Sequence, residues 1–142
     1  MLTLDLAQTI VHTALDHARS DSLPPMTVAV LDAGGQLVAF AREDGSSLLR
    51  EKIARAKAMG ALNMGVGSRA LAGRADAHPQ FFASIIALAD GELVPVAGGV
   101  LVRDETGAIV GAVGVSGAVP DVDEACALAG IHAAGLTADP GE

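Results

Sequence analysis

The chain's reactive stock is four histidines, one cysteine, seventeen acids and nine bases in 142 residues. No two histidines stand at HxH or HExxH spacing, so no zinc-type cluster is encoded. His12 falls on a polar helix face and reads as solvated. His17 lies near an apolar face and reads as a satisfied core residue. His132 sits among alanines. His78 precedes Pro79 in a stretch rich in glycine and charge, where ligands often bind. A lone imidazole can still ligate haem iron, which needs no cluster in sequence. The basic run Arg50, Lys52, Arg55 and Lys57 is either a solvated helix face or a patch for carboxylates, such as haem propionates or an acidic substrate. Asp32, Lys57, His78 and Asp123 are the acid/base candidates. A carboxylate and an ammonium in an apolar pocket have pKa values shifted towards proton transfer.

The glycines between Val94 and Ala125 raise a second chemistry. Gly111, Gly114 and Gly117 are spaced GxxGxxG, which is neither GxGxxG nor a P-loop, and no Gly-Lys-Ser/Thr follows. The next segment opens with Asp121, Asp123 and Glu124, which would occupy a helix dipole and repel phosphate. The glycines therefore read as close-packing positions inside strands. Ser116, in "GVSGA", lacks the GxSxG elbow, because residue 118 is alanine. Cys126 reads as a small core residue.

These residues must be carried by recognisable elements. Residues 3–20 form an amphipathic helix with Thr3 as N-cap and Leu6, Ile10, Thr13 and His17 on its apolar face. Met26–Asp32 and Gln36–Arg42 make a hairpin around Ala33–Gly35. A helix runs over Leu48–Leu62, capped by Ser46 or Ser47. "GVGSRALAGRADAH" is loop-like with at most a helical turn, and Pro79–Leu88 begins as helix and ends as strand. Gly98–Asp104 and Ala108–Ser116 make a second hairpin. Asp121 and Glu124 have the spacing of a capping box for a last helix over Asp123–Leu136. "TADPGE" is a frayed tail. The sum is an α/β (α+β) domain, residues 1–142, with an antiparallel sheet of about five strands flanked by helices.

Composition narrows the function. Net charge is −8, and from residue 76 onward there are ten acids and one base, Arg103. With no Trp, no Tyr and three Phe, the chain lacks both the electrostatic footprint and the stacking platforms of a nucleic-acid binder. Apolar runs break well before eighteen residues, so no membrane span is expected, and the N-terminus has no basic n-region of a signal peptide. A single cysteine permits no intrachain disulfide, and a reducing cytoplasm is the expected compartment.

Four stretches together, "VAVLDAGGQLVAFAREDGSS", "IARAKAMGAL", "PVAGGVLV" and "GAIVGAVGVSGAVPDVDEACALAGI", resemble the GlcG/HbpS-like haem-degrading domain family, which is similar to the C-terminal domain of PduO-type proteins. The resemblance spans about residues 3–136. Asp32, Gly34 and Gly35 match its hairpin motif, and Arg42, Asp44 and Gly45 its Arg-x-Asp-Gly. Lys57 and Ala58 match its helix, and Gly98 and Gly99 its double glycine. Gly111, Gly114, Ser116, Gly117 and Asp123 match its signature end. The chain departs from the pattern by lacking a proline after the double glycine and by carrying Ala118 after Ser-Gly. The family implies a profilin-like or roadblock-like sheet, homo-oligomers (dimers or larger), and in some members haem binding with a part in haem handling or redox sensing.

Three readings follow. In the first, an oligomeric haem (tetrapyrrole)-binding protein, propionates lie near Arg50, Lys52, Arg55 or Lys57. His78 or His17 is then the iron ligand, and Gly98 and Gly99 line the site. In the second, a cofactor-independent isomerase, lyase or cyclase works through Asp32, Lys57, His78 or Asp123. In the third, the glycine-rich strands form only a subunit interface.

Overall fold

A computed structural model describes all residues, Met1–Glu142. The order is α1 (Leu4–Ser20), β1 (Thr27–Asp32), β2 (Leu37–Arg42), α2 (Arg50–Met64), α3 (Ser68–Ala77), α4 (Pro79–Leu88), β3 (Gly99–Arg103), β4 (Ile109–Ser116), α5 (Pro120–Ala133) and β5 (Thr137–Asp139). The strands form one antiparallel sheet in the order β2-β1-β4-β3-β5, as the α+β reading expects. No helix is long and apolar enough to cross a membrane.

Side-chain alternation divides the core into two layers. Val28 and Val30 of β1, Val100 and Val102 of β3, and Val113 and Val115 of β4 face α1 and α5. Leu31, Leu101 and Ala112 face α2 on the other side, with Ala58 and Ala61. A third small cluster, Leu71, Phe82 and Leu93, holds α3 and α4 beside α2.

Small residues decide how close the layers come. A Cβ on Gly114 would collide with the carbonyl oxygen of Ala54, and one on Gly99 with that of Lys57. Gly99 and Gly114 are cross-strand partners, so α2 rests its backbone directly on a bare patch of sheet. On the other face a Cβ on Gly130 would come within 2.5 Å of the Ile10 carbonyl oxygen. The close-packing reading of the glycines therefore holds. Thr3 caps α1 as expected, accepting from the Leu6 N–H at 3.2 Å.

The α1–α5 approach also corrects the expected face of α1. Its buried residues are Ala7, Ile10, Val11, Ala14 and Ala18, with Ile10 seated over Gly130 of α5. Leu6 is left half-buried on the flank, and the His17 side chain is 35% exposed, with Nε2 3.6 Å from Asp21, so it is not a core residue.

Other boundaries differ for physical reasons. Neither Ser46 nor Ser47 caps α2, whose N-cap is Leu49 without a side-chain bond. The loop-like stretch after α2 is the ten-residue helix α3, set off by Gly65 in a left-handed C-cap. α4 is helical to its end, started by Pro79 at a first-turn position where proline loses no hydrogen bond. At α5 the N-cap is Val119, followed by Pro120, and the expected capping box does not form because Asp121 and Glu124 both turn to Arg69. The tail is not frayed. Thr137–Asp139 pairs with β3, and Arg103 Nε donates to Asp139 at 2.9 Å.

Candidate functional site

Three places gather the residues that could do chemistry. The first is a buried knot at the end of β4. Lys57, on α2, passes over Gly98 and donates from Nζ to the Val115 carbonyl and to Asp123 Oδ2, each at 3.0 Å. Asp123 Oδ1 accepts the Ala118 N–H at 2.8 Å. Gly98 is required twice: its φ is +119°, and a Cβ there would lie 2.8 Å from Nζ. The side chains of Lys57 and Asp123 are 3% and 1% exposed. Burial is the main cause that pushes the ammonium pKa below its ordinary value and the carboxyl above its own, and the attraction between the two works against both shifts. Beside the pair, Arg50 donates to Ser116 Oγ at 3.0 Å, and Ser68 Oγ accepts the Gly99 N–H at 2.7 Å. The knot joins α2, on one face of the sheet, to α5 on the other. Its chemistry is that of a satisfied internal ion pair.

The second place is a cleft of about 420 Å³ between α2 and the turn after α4. Lys52 and Arg55 stand on one wall, Asp90 and Glu92 on the other, over Leu31, Ala56 and Met59.

A third place is a groove of about 320 Å³ between α1 and the edge strand β2. Seven of its nine lining residues are apolar, among them Val11, Leu15, Val38 and Phe40, and the eighth position of interest is His12. His12 is exposed and takes part in no hydrogen bond or ion pair.

The sequence candidates are therefore dispersed. Lys57 and Asp123 meet, with Gly98 and Gly99 around them, and Arg50 nearby. Lys57 is not part of a solvated face, because Gly98 and Gly99 draw it under the sheet end. Lys52 and Arg55 are exposed at the α2 cleft. His17 lies on α1, across the sheet from them, and His78 is exposed at the α3–α4 junction. Asp32 closes the β1–β2 turn, accepting the N–H groups of Gly34 and Gln36 at 3.0 and 2.9 Å. Cys126 is buried, as expected, and burial pushes its thiol pKa up to about 11. No group of three or more His, Cys, Asp or Glu side chains is placed to hold a metal ion. His12 is solvated, as its polar helix face predicts, and what the sequence does not show is that it borders the apolar residues of β2.

With this geometry in view, the profile of the family described as "Haem degrading protein HbpS-like" matches residues 2–132. The chain belongs to the HbpS-like family. Among solved structures, HbpS of Streptomyces reticuli, seen as a double mutant, is 30% identical over 93% of this chain and 86% of that one, with a TM-score of 0.80. A haem complex of PduOC is 21% identical, covers 96% of this chain and 97% of that one, and has a TM-score of 0.87. The Klebsiella pneumoniae protein ORFY is 22% identical over 94% and 90%, with a TM-score of 0.83. The last two likenesses bear on fold. No curated protein sequence matches the chain.

Proposed function

We propose that this HbpS-like chain binds haem, or a similar flat tetrapyrrole, in the groove between α1 and β2. The observation that carries the reading is an unpartnered imidazole, His12, beside an apolar groove. Haem asks for an apolar wall and a Lewis base, and both are present there. Neither His17 nor His78 lines that groove. The family and the haem complex of a protein of the same fold support the ligand class. His12 would ligate the iron, and Val11, Leu15, Val38, Ala39 and Ala41 would hold the ring. Bound haem supplies a redox-active iron, and the chain supplies burial and orientation.

The groove is open, and it ends on an edge strand with free backbone groups and an exposed Leu37. Such an edge is a template for another strand. We extend the proposal to self-association along this edge, a second copy covering the exposed face of the ring, in a cytoplasmic protein of haem handling or redox sensing. The Lys57–Asp123 pair is a poor centre for the alternative acid/base enzyme, since a substrate has no path to it without displacing the Gly98 turn.

The test is titration with hemin followed by size exclusion. A Soret band should co-elute with an oligomer, and His12→Ala should abolish or shift it while His17→Ala and His78→Ala leave it. Hemin eluting apart from the protein, or a band indifferent to His12→Ala, would overturn the proposal.

A further inference from the structure

The cleft beside α2 has no part in the haem reading, since α1 and α2 lie on opposite faces of the sheet. Its charges are unusual in one respect. Lys52, Arg55, Asp90 and Glu92 all border it, and Glu51 stands at its end, yet none of the five enters an ion pair. Both cations stand on one wall, with Glu51 beside them on α2, and the opposite wall is wholly anionic. Both cations come from α2, one turn apart, and Asp90 and Glu92 come from the turn that follows α4. Between the walls the floor is apolar: Leu31 from β1, Ala56 and Met59 from α2. Met59 is itself pinned, because its methyl lies against Gly35 of the β1–β2 turn, where a Cβ would come within 2.9 Å. The anionic wall is also fixed. Asp90 and Gly91 both have positive φ, +53° and +79°, and the N–H groups of Asp90, Gly91 and Glu92 are all bonded back to α4 and its C-cap.

We infer that this cleft binds a small amphoteric molecule, a carboxylate and an ammonium joined by an aliphatic spacer. The carboxylate would lie between Lys52 and Arg55, where a guanidinium gives a two-pronged donor. The ammonium would lie against Asp90 and Glu92, and the spacer over Leu31 and Met59. Three acids against two bases favour a ligand of zero or single positive net charge and disfavour dianions, haem included. A volume of about 420 Å³ is within the span of small-molecule sites.

The probe is 6-aminohexanoate, with hexanoate and hexylamine as half-ligands. The readout is the 13C-methyl signal of Met59, assigned with Met59→Leu, with the methyl of buried Met26 on the opposite layer as a check on the fold. Saturable movement of the Met59 signal alone is expected, with both half-ligands at least tenfold weaker. Lys52→Gln with Arg55→Gln should lower affinity for 6-aminohexanoate at least tenfold and leave hexylamine unchanged. Asp90→Asn with Glu92→Gln should do the reverse for hexanoate. Hemin added beforehand should leave the Met59 shift intact. No saturable shift, equal binding of a half-ligand, or loss of the shift on adding hemin would each overturn the proposal. The first two leave the haem reading standing, and the third would move haem to this cleft.

Discussion

Removing the Asp123 carboxylate should do disproportionate damage. In Asp123→Ala, Lys57 keeps only the Val115 carbonyl as a partner, in a place where its side chain is 3% exposed. Leaving a charge so buried and uncompensated costs about 3–5 kcal/mol. For a chain of this size that lowers Tm by roughly 10–15 °C. Lys57→Met is a different perturbation, because Asp123 can take a proton and still accept the Ala118 N–H. Its folded pKa is already above the ordinary value with Lys57 present, through burial, and losing the ammonium raises it further. A raised folded pKa means that the native state holds the proton longer than the unfolded chain. The favourable contribution is present below the unfolded value, near 4, and is lost as pH rises through the folded one. The Lys57→Met penalty should therefore be mild in acid and grow towards neutrality. Lys57→Met with Asp123→Leu removes both charges and leaves only the Ala118 N–H and the Val115 carbonyl to resatisfy, about 1–3 kcal/mol. The double variant should be more stable than Asp123→Ala. Urea unfolding followed by far-ultraviolet circular dichroism reads all of this, since the chain has no Trp or Tyr to report by fluorescence. An Asp123→Ala cost below about 1 kcal/mol, or strict additivity of the single changes, would refute the reasoning.

Three further outcomes can be checked together. Gly114→Ala should cost about 1–3 kcal/mol or more, because α2 must lift from the sheet. Gly73→Ala, in α3 with nothing within 4 Å of the new methyl, should instead stabilise by about 0.5–1 kcal/mol, and paired melts decide both. Cys126 should resist thiol reagents at pH 8 until the protein unfolds. Because its folded pKa of about 11 lies above the ordinary 9.0, the stability it contributes is intact below pH 9 and declines as pH rises towards 11, a loss that Cys126→Ala should remove. Arg69→Met breaks an exposed contact to Asp121 and leaves the buried Glu124 without its partner, so its cost should exceed that of Asp121→Asn. The latter removes only the exposed, salt-screened pair, worth about 0–1 kcal/mol, and paired urea melts decide.

What could be read in the sequence was local. Both hairpins show themselves through β-branched runs broken by Ala33–Gly35 and by Glu105–Gly107, and α1 through its period and Thr3. Helix α3 was hidden because Gly65, Gly67 and Gly73 look like loop residues. In fact Gly65 is a cap, Gly67 makes room for Pro140, and Gly73 faces open space. The strand β5 was hidden because three residues before Pro140 carry no period, and only the exposed edge of β3 recruits them. Lys57 and Asp123 are both legible as candidates, but their pairing was hidden, because nothing within the lysine's own helix announces a partner sixty-six residues away.

The partnership of α1 with α5 has a consequence for biosynthesis. The first helix can meet the β1–β2 hairpin early, but the surface that covers Ile10 includes Gly130 and Ile131. At about 5–20 residues per second the roughly 120 residues between them take roughly 6–24 s. Two hairpins can form in that interval, yet the seam between β1 and β4 cannot close until Ser116 has cleared the exit tunnel. Until then the first helix and the first hairpin have mainly each other to cover their apolar faces.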